Sequence, residues 1–229
     1  MSETQVALIV GAGPGFSGHV AERLATRGMS VVLASRRADQ TLASRLGATA
    51  MNFNAGDPAA TVQLFADVEA RFGAPPSFVM YNPSARVRGE FIDIDPEAVR
   101  QAINVTAFGG FLVAQEAAKR MVPRGTGKIL LTGATASVKG VPRSAAFAMG
   151  KFALRGLAQS MARELHPKGV HILHVVIDGG IRNVAAQDDD AAEARLDPAA
   201  LADATLNLLD QPRSVWAWEV DLRPWVETF

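Results

Sequence analysis

Two groups of residues in this chain have the types and spacing to do chemistry. The first is Phe147-Ala148-Met149-Gly150-Lys151. A separation of four places residues 147 and 151 on one helix face. A hydroxyl at 147 and an ammonium at 151 would make a proton-transfer pair. Here the ammonium is present in Lys151, but Phe147 has no transferable proton. Lys151 also sits among Phe147, Met149, Phe152 and Leu154, an apolar setting in which an idle ammonium is costly.

The second group is Gly11-Ala12-Gly13-Pro14-Gly15-Phe16-Ser17-Gly18, which leaves the aliphatic run 6–10 and opens a helix-forming segment at residues 19–27. Glycines in that context let the chain turn off a strand and bring backbone N–H groups against a pyrophosphate. Two registers fit. Gly13 to Gly18 spells G-x-G-x-x-G literally, whereas Gly11, Gly15 and Ser17 fit G-x-x-x-G-x-G with serine last. The second is preferred because Gly11 directly follows the strand. The next aliphatic run ends Ala34-Ser35-Arg36-Arg37, with no acid before Asp39. A carboxylate there selects the free ribose of NAD, and arginine accommodates a 2′-phosphate. NADP(H) is therefore expected over NAD(H), with Arg36 as the better phosphate ligand, Arg37 second and Ser35 beside them.

The elements that must hold these groups are short Val/Ile/Leu runs at 6–10, 31–34, 48–53, 78–81, 129–132, 170–177 and 214–220, alternating with helix-like stretches. Runs that are nearly continuous, rather than alternating, read as strands buried on both faces of a parallel sheet. Asp57-Pro58, Asp95-Pro96 and Asp197-Pro198 are helix starts, and Gly28, Gly73 and Gly169 are helix ends. The expected fold is α/β: one Rossmann-type domain over 1–229, a doubly wound sheet of about seven parallel strands flanked by helices. Equal numbers of basic and acidic residues, 23 each, argue against a nucleic-acid or membrane-surface partner. No apolar run is long enough to span a bilayer. The absence of cysteine excludes disulfides, thiolate metal sites and a cysteine nucleophile. The four histidines form no ligand-like cluster and Asp188-Asp189-Asp190 reads as a solvated loop, so no metal is expected. A cytoplasmic location is expected.

In order and spacing, these landmarks resemble the short-chain dehydrogenase/reductase family over essentially the whole chain. The matching features are Gly11 and Gly15, Asn82 after the fourth strand, Asn104-Val105-Thr106, the Phe147/Lys151 spacing and Asp178-Gly179 where the family usually has Pro-Gly. The resemblance implies a catalytic tetrad of asparagine, serine, tyrosine and lysine. Asn104 and Lys151 match, the tyrosine position is Phe147, and the serine position is Ala134. Tyr81, the only tyrosine, is the first substitute acid to consider, followed by Ser144, Thr135 and Ser137. The resemblance also implies cofactor contacts from Asn54, Asn82, Gly179, Ile181 and Asn183, and a short substrate lid at 179–196. Arg86, Arg88, Arg143 and Arg182 are expected around the mouth of the site, favouring an anionic substrate. The helical stretches 97–121 and 143–165 imply a homodimer or homotetramer, with the aromatic tail (Trp216, Trp218, Trp225, Phe229) suited to docking on a neighbour. Two functions follow: an NADP(H)-dependent oxidoreductase of a small carbonyl or alcohol, or a catalytically impaired dinucleotide-binding protein acting as sensor or subunit.

Overall fold

A computed structural model describes residues 4–183 and 194–227. Seven strands, β1 (Val6–Val10), β2 (Ser30–Ser35), β3 (Thr49–Asn52), β4 (Phe78–Tyr81), β5 (Gly127–Thr132), β6 (Val170–Ile177) and β7 (Glu219–Leu222), form one sheet in the order β3-β2-β1-β4-β5-β6-β7. Every pairing is parallel. The helices are α1 (Phe16–Thr26), α2 (Gln40–Leu46), α3 (Pro58–Phe72), α4 (Pro96–Ile103), α5 (Gly109–Met121), α6 (Ala145–Leu165) and α7 (Pro198–Leu209).

Alternate residues of each strand feed two cores. Leu8, Val10, Val79, Tyr81, Ile129 and Leu131 pack with residues of α3, α5 and α6 on one face. Ala7, Ile9, Leu33, Met80, Leu130 and Leu173 pack with α1, α2 and α7 on the other. All five residues of β1 and all eight of β6 are buried, which is why their sequence is nearly continuous in apolar residues rather than alternating, with His171 and His174 the two polar exceptions in β6.

Helix starts follow the sequence signals. Asp57, Asp95 and Asp197 each accept a backbone N–H in the first turn, ahead of Pro58, Pro96 and Pro198. Gly73 and Gly169 close their segments with left-handed backbone.

Two expectations are corrected. The last strand is Glu219–Leu222, because Arg213–Val215 form a short 3-10 turn instead of extended chain. The stretch 97–121 is two helices joined by a π-helical turn, Asn104–Phe108, in which the Gly109 N–H reaches the Asn104 carbonyl. The close approaches at Gly109 and Gly110 explain the small residues: a Cβ at either would collide with Tyr81 or Leu154.

Strand order reverses between β1 and β4, and parallel α/β sheets leave a ligand crevice outside the carboxyl ends of the strands at such a point.

Candidate functional site

The crevice is there. A cleft of about 700 Å³ opens at the carboxyl ends of β4, β5 and β6, lined by Asn82, Thr132 to Ala136, Phe147, Lys151, Ile177 and Gly179 to Ile181 among others. Beside it the chain leaves β1 through Gly11, whose φ of +77° and contact with Pro83 leave no room for a side chain. A Cβ there would stand 2.7 Å from the Pro83 nitrogen. Gly18 is needed for packing, since its Cβ would meet the Gly13 carbonyl at 2.6 Å. Gly13 and Gly15 instead face open space, as a cradle for a bulky ligand requires. The Ser17 hydroxyl accepts the Gly13 N–H at 3.1 Å, so its role is to hold the turn in shape at the N-terminus of α1. Asn82 donates to the Gly11 carbonyl at 3.0 Å and ties the β1 and β4 loops together.

At the end of β2, Arg36 and Arg37 are exposed, and the Ser35 hydroxyl donates to the Arg37 carbonyl. The nearest acid, Asp39, is spent on the helix: its carboxylate accepts the Leu42 N–H and caps α2. Asn54 is exposed in the loop after β3.

Lys151 is the most unusual group. It is 2% exposed and its ammonium donates to the Thr132 carbonyl at 2.5 Å. Desolvation first, then the like charge of Arg86, bring its pKa down to about 7. Its Nζ lies 5.9 Å from the centre of the Phe147 ring, and the Arg86 guanidinium lies 4.5 Å from the same centre. Ala134 lines the cleft in an extended backbone at the serine position. Among the hydroxyl-bearing residues, Ser84, Thr132, Thr135 and Ser144 line the cleft, with Thr135 donating to Asp178. Ser137 is fully buried and its hydroxyl accepts the Ala134 N–H.

The proposed substitute acid is not brought to the site. Tyr81 shares a face with Val79 and points into the α3–α5–α6 core, where its hydroxyl donates to the Val105 carbonyl in the π turn. Burial raises its pKa, so it is poorly placed to exchange a proton. The Asn104 side chain also points elsewhere, donating to the Gly56 carbonyl at 3.4 Å. Ile181 lines the cleft and pairs with Leu196, while Asn183 is exposed at the edge of the described chain. Most of the expected lid at 179–196, with Asp188-Asp189-Asp190, lies outside the described residues, as does Phe229.

Of the four expected arginines, Arg86 and Arg88 line the cleft, whereas Arg143 is paired with Glu90 and Arg182 with Asp197. The aromatic tail is corrected in part. Trp216 stacks on His171 at 4.5 Å and Trp218 packs against the core of its own domain, leaving Trp225 exposed. Sequence reasoning missed the orphaned Thr132 hydroxyl and the Arg86–Phe147 stack; neither leaves a trace in local pattern. Among the described residues no helix is long and apolar enough to cross a membrane.

A model of the short chain dehydrogenase family matches residues 5–194. Versicolorin reductase 1 of Aspergillus parasiticus is 33% identical over 187 residues, covering 78% of this chain and 70% of that protein. A short-chain dehydrogenase from Rhodopseudomonas palustris superposes with a TM-score of 0.83 at 31% identity, over 96% of this chain and 99% of that one. An alcohol dehydrogenase from Thermococcus sibiricus, complexed with 5-hydroxy-NADP, shares the fold at a TM-score of 0.84 and 21% identity, over 99% of each chain.

Proposed function

Because the chain belongs to the short-chain dehydrogenase/reductase family, a family of oxidoreductases, we propose that it binds NADP(H) in preference to NAD(H) and acts on a small carbonyl or alcohol. The observation that carries the cofactor choice is at the end of β2, where two exposed guanidiniums stand and the only nearby carboxylate is occupied as a helix cap. An arginine fork matches the oxygens of a 2′-phosphate, and an available carboxylate would repel it.

The residues fit a dinucleotide. Gly11 makes the turn, the open backbone at Gly13 and Gly15 and the first turn of α1 at Phe16 and Ser17 receive the diphosphate, and Arg36, Arg37 and Ser35 receive the adenosine end with Asn54 beyond. Asn82, Lys151, Gly179, Ile181 and Asn183 serve the nicotinamide end. The bound cofactor supplies or accepts a hydride. Holding reactants together in such a cleft itself accelerates transfer. Proton movement falls to groups that line the cleft, the Lys151 ammonium and the Ser144 hydroxyl, or to water, because Phe147 and Ala134 contribute none. An amine titrating near 7 is well matched to that task near neutrality.

One observation favours a second reading, a dinucleotide-binding protein without efficient turnover: both family hydroxyls are missing, and no tyrosine among the described residues reaches the cleft. A homodimer or homotetramer is supported by Phe108, Phe111, Met149 and Phe152, which leave apolar surface exposed on the π turn, α5 and α6. Calorimetric titration with NADPH and NADH, together with Arg36→Met, tests the cofactor assignment. Tighter NADPH binding that is lost in the variant is expected; tighter NADH binding defeats it.

A further inference from the structure

The cleft is strongly one-signed. Arg86, Arg88 and Lys151 line it, and among the described residues no aspartate or glutamate does. Two of these cations share one ring, with Arg86 on Phe147 at 4.5 Å and Lys151 at 5.9 Å. Arg86 is exposed, but it is held in place. The N–H of its neighbour Ala85 donates to the Thr106 hydroxyl at 3.1 Å, and Thr106 is fully buried against Gly150 of α6. Phe147 then holds the guanidinium through a cation–π contact. The arginines that could serve elsewhere are removed from the competition, since Arg143 and Arg182 already have carboxylate partners. The Thr132 hydroxyl, buried in the same lining, has no hydrogen-bond partner among the described residues.

Two like charges held at one ring repel, and the Arg86 guanidinium adds to the desolvation that lowers the Lys151 pKa. His174, buried behind it on β6 and itself lowered to about 4, adds no positive charge near neutrality. An anion placed between the two cations would relieve the repulsion and gain two charge-assisted partners.

We propose that Arg86 and Lys151, both held against Phe147, form a seat for a carboxylate, and that the substrate of this cleft is a carbonyl or hydroxy compound that carries one. The proposal rests on the oxidoreductase reading above and narrows its substrate class. It gives the tyrosine-to-phenylalanine change a use: an apolar ring seats a guanidinium where a phenol would offer a hydroxyl.

The same cations could instead meet a phosphate of the cofactor, so the test separates the two sources. Benzoate is titrated calorimetrically into the NADP⁺-saturated protein, with benzamide as its uncharged counterpart, and NADPH is titrated separately; each titration is repeated with Arg86→Met. In parallel, carbon-13 lysine labelling follows the Lys151 amine, the only buried one of five lysines. The proposal expects benzoate to bind, benzamide not to, and Arg86→Met to weaken benzoate about tenfold or more with NADPH affinity unchanged. Benzoate should also raise the Lys151 titration midpoint from about 7. Equal binding of benzoate and benzamide, or an unaltered benzoate affinity in Arg86→Met, overturns it. So does a loss confined to NADPH, which would hand Arg86 to the cofactor. Failure of NADPH to bind wild-type protein would instead overturn the underlying reading.

Discussion

Lys151→Met is expected to make the protein more stable at neutral pH. The ammonium titrates near 7 in the folded chain, against about 10.4 in an unfolded one. The folded value lies below the unfolded one, so between these limits the unfolded chain binds more protons and stability rises with pH. Below about 7 the full cost of burying the ammonium is present. About three pKa units at about 1.4 kcal/mol each amount to roughly 4–5 kcal/mol. Methionine fills a similar volume without charge, but it leaves the Thr132 carbonyl without the donor it has now. An unsatisfied buried acceptor costs about 1–3 kcal/mol, so burial of the charge wins by roughly 1–4 kcal/mol. For a chain of this size, at about 2–4 °C per kcal/mol, that raises Tm by about 2–16 °C. The assay is thermal unfolding of both proteins across a pH series. At neutral pH the variant should melt higher, and the gap should close as pH rises toward about 10, where the wild-type amine is neutral and keeps its hydrogen bond. A variant that melts lower at neutral pH, with the same pH slope as wild type, would refute the burial argument.

Two further outcomes follow from the site. Phe147→Tyr combined with Ala134→Ser restores both family hydroxyls beside Lys151, and general acid–base help of this kind contributes about 10²–10⁴-fold. NADPH consumption against a panel of small carbonyl compounds should rise on that scale, whereas an unchanged rate in a folded, NADPH-binding variant would mean proton delivery at these positions does not limit the reaction. Gly11→Ala forces a side chain into left-handed backbone and against Pro83, so it should lose about 1–3 kcal/mol of stability and weaken NADPH binding in the same calorimetric assay; a neutral effect on both would show that the β1 turn is not constrained as described.

Much of the scaffold could be read from the sequence because parallel strands buried on both faces are apolar at nearly every position, with His171 and His174 the exceptions in β6. Val6–Val10 and Val170–Ile177 are the plainest cases. The Asp-Pro starts and glycine ends worked for a similar reason: each satisfies backbone groups locally. The final strand was misplaced because Val215 and Trp216 are as apolar as a strand, yet Val215 stands exposed in the 3-10 turn and Trp216 stacks on His171 before the ladder begins. The π turn left no local signal, since residues 97–121 keep helical backbone throughout and only the spacing of the hydrogen bonds changes.

At the site, the order of Gly11, Asn82, Lys151 and Gly179 was visible, and the structure brings them to one end of the sheet. Which way Tyr81 faces was not: alternation along β4 decides it, but only once the α5–α6 layer is known to lie on the Val79 side. The stack of Arg86 on Phe147 joins residues 61 positions apart and depends on the Ala85–Thr106 anchor, a purely tertiary feature.

The central claim is that the turn after β1 and the arginines after β2 hold a 2′-phosphorylated nicotinamide dinucleotide. Calorimetry of the purified protein with NADPH and NADH tests it most directly. The account predicts saturable binding with NADPH the tighter of the two and that preference abolished by Arg36→Met; no binding of either, or a preference for NADH, contradicts it.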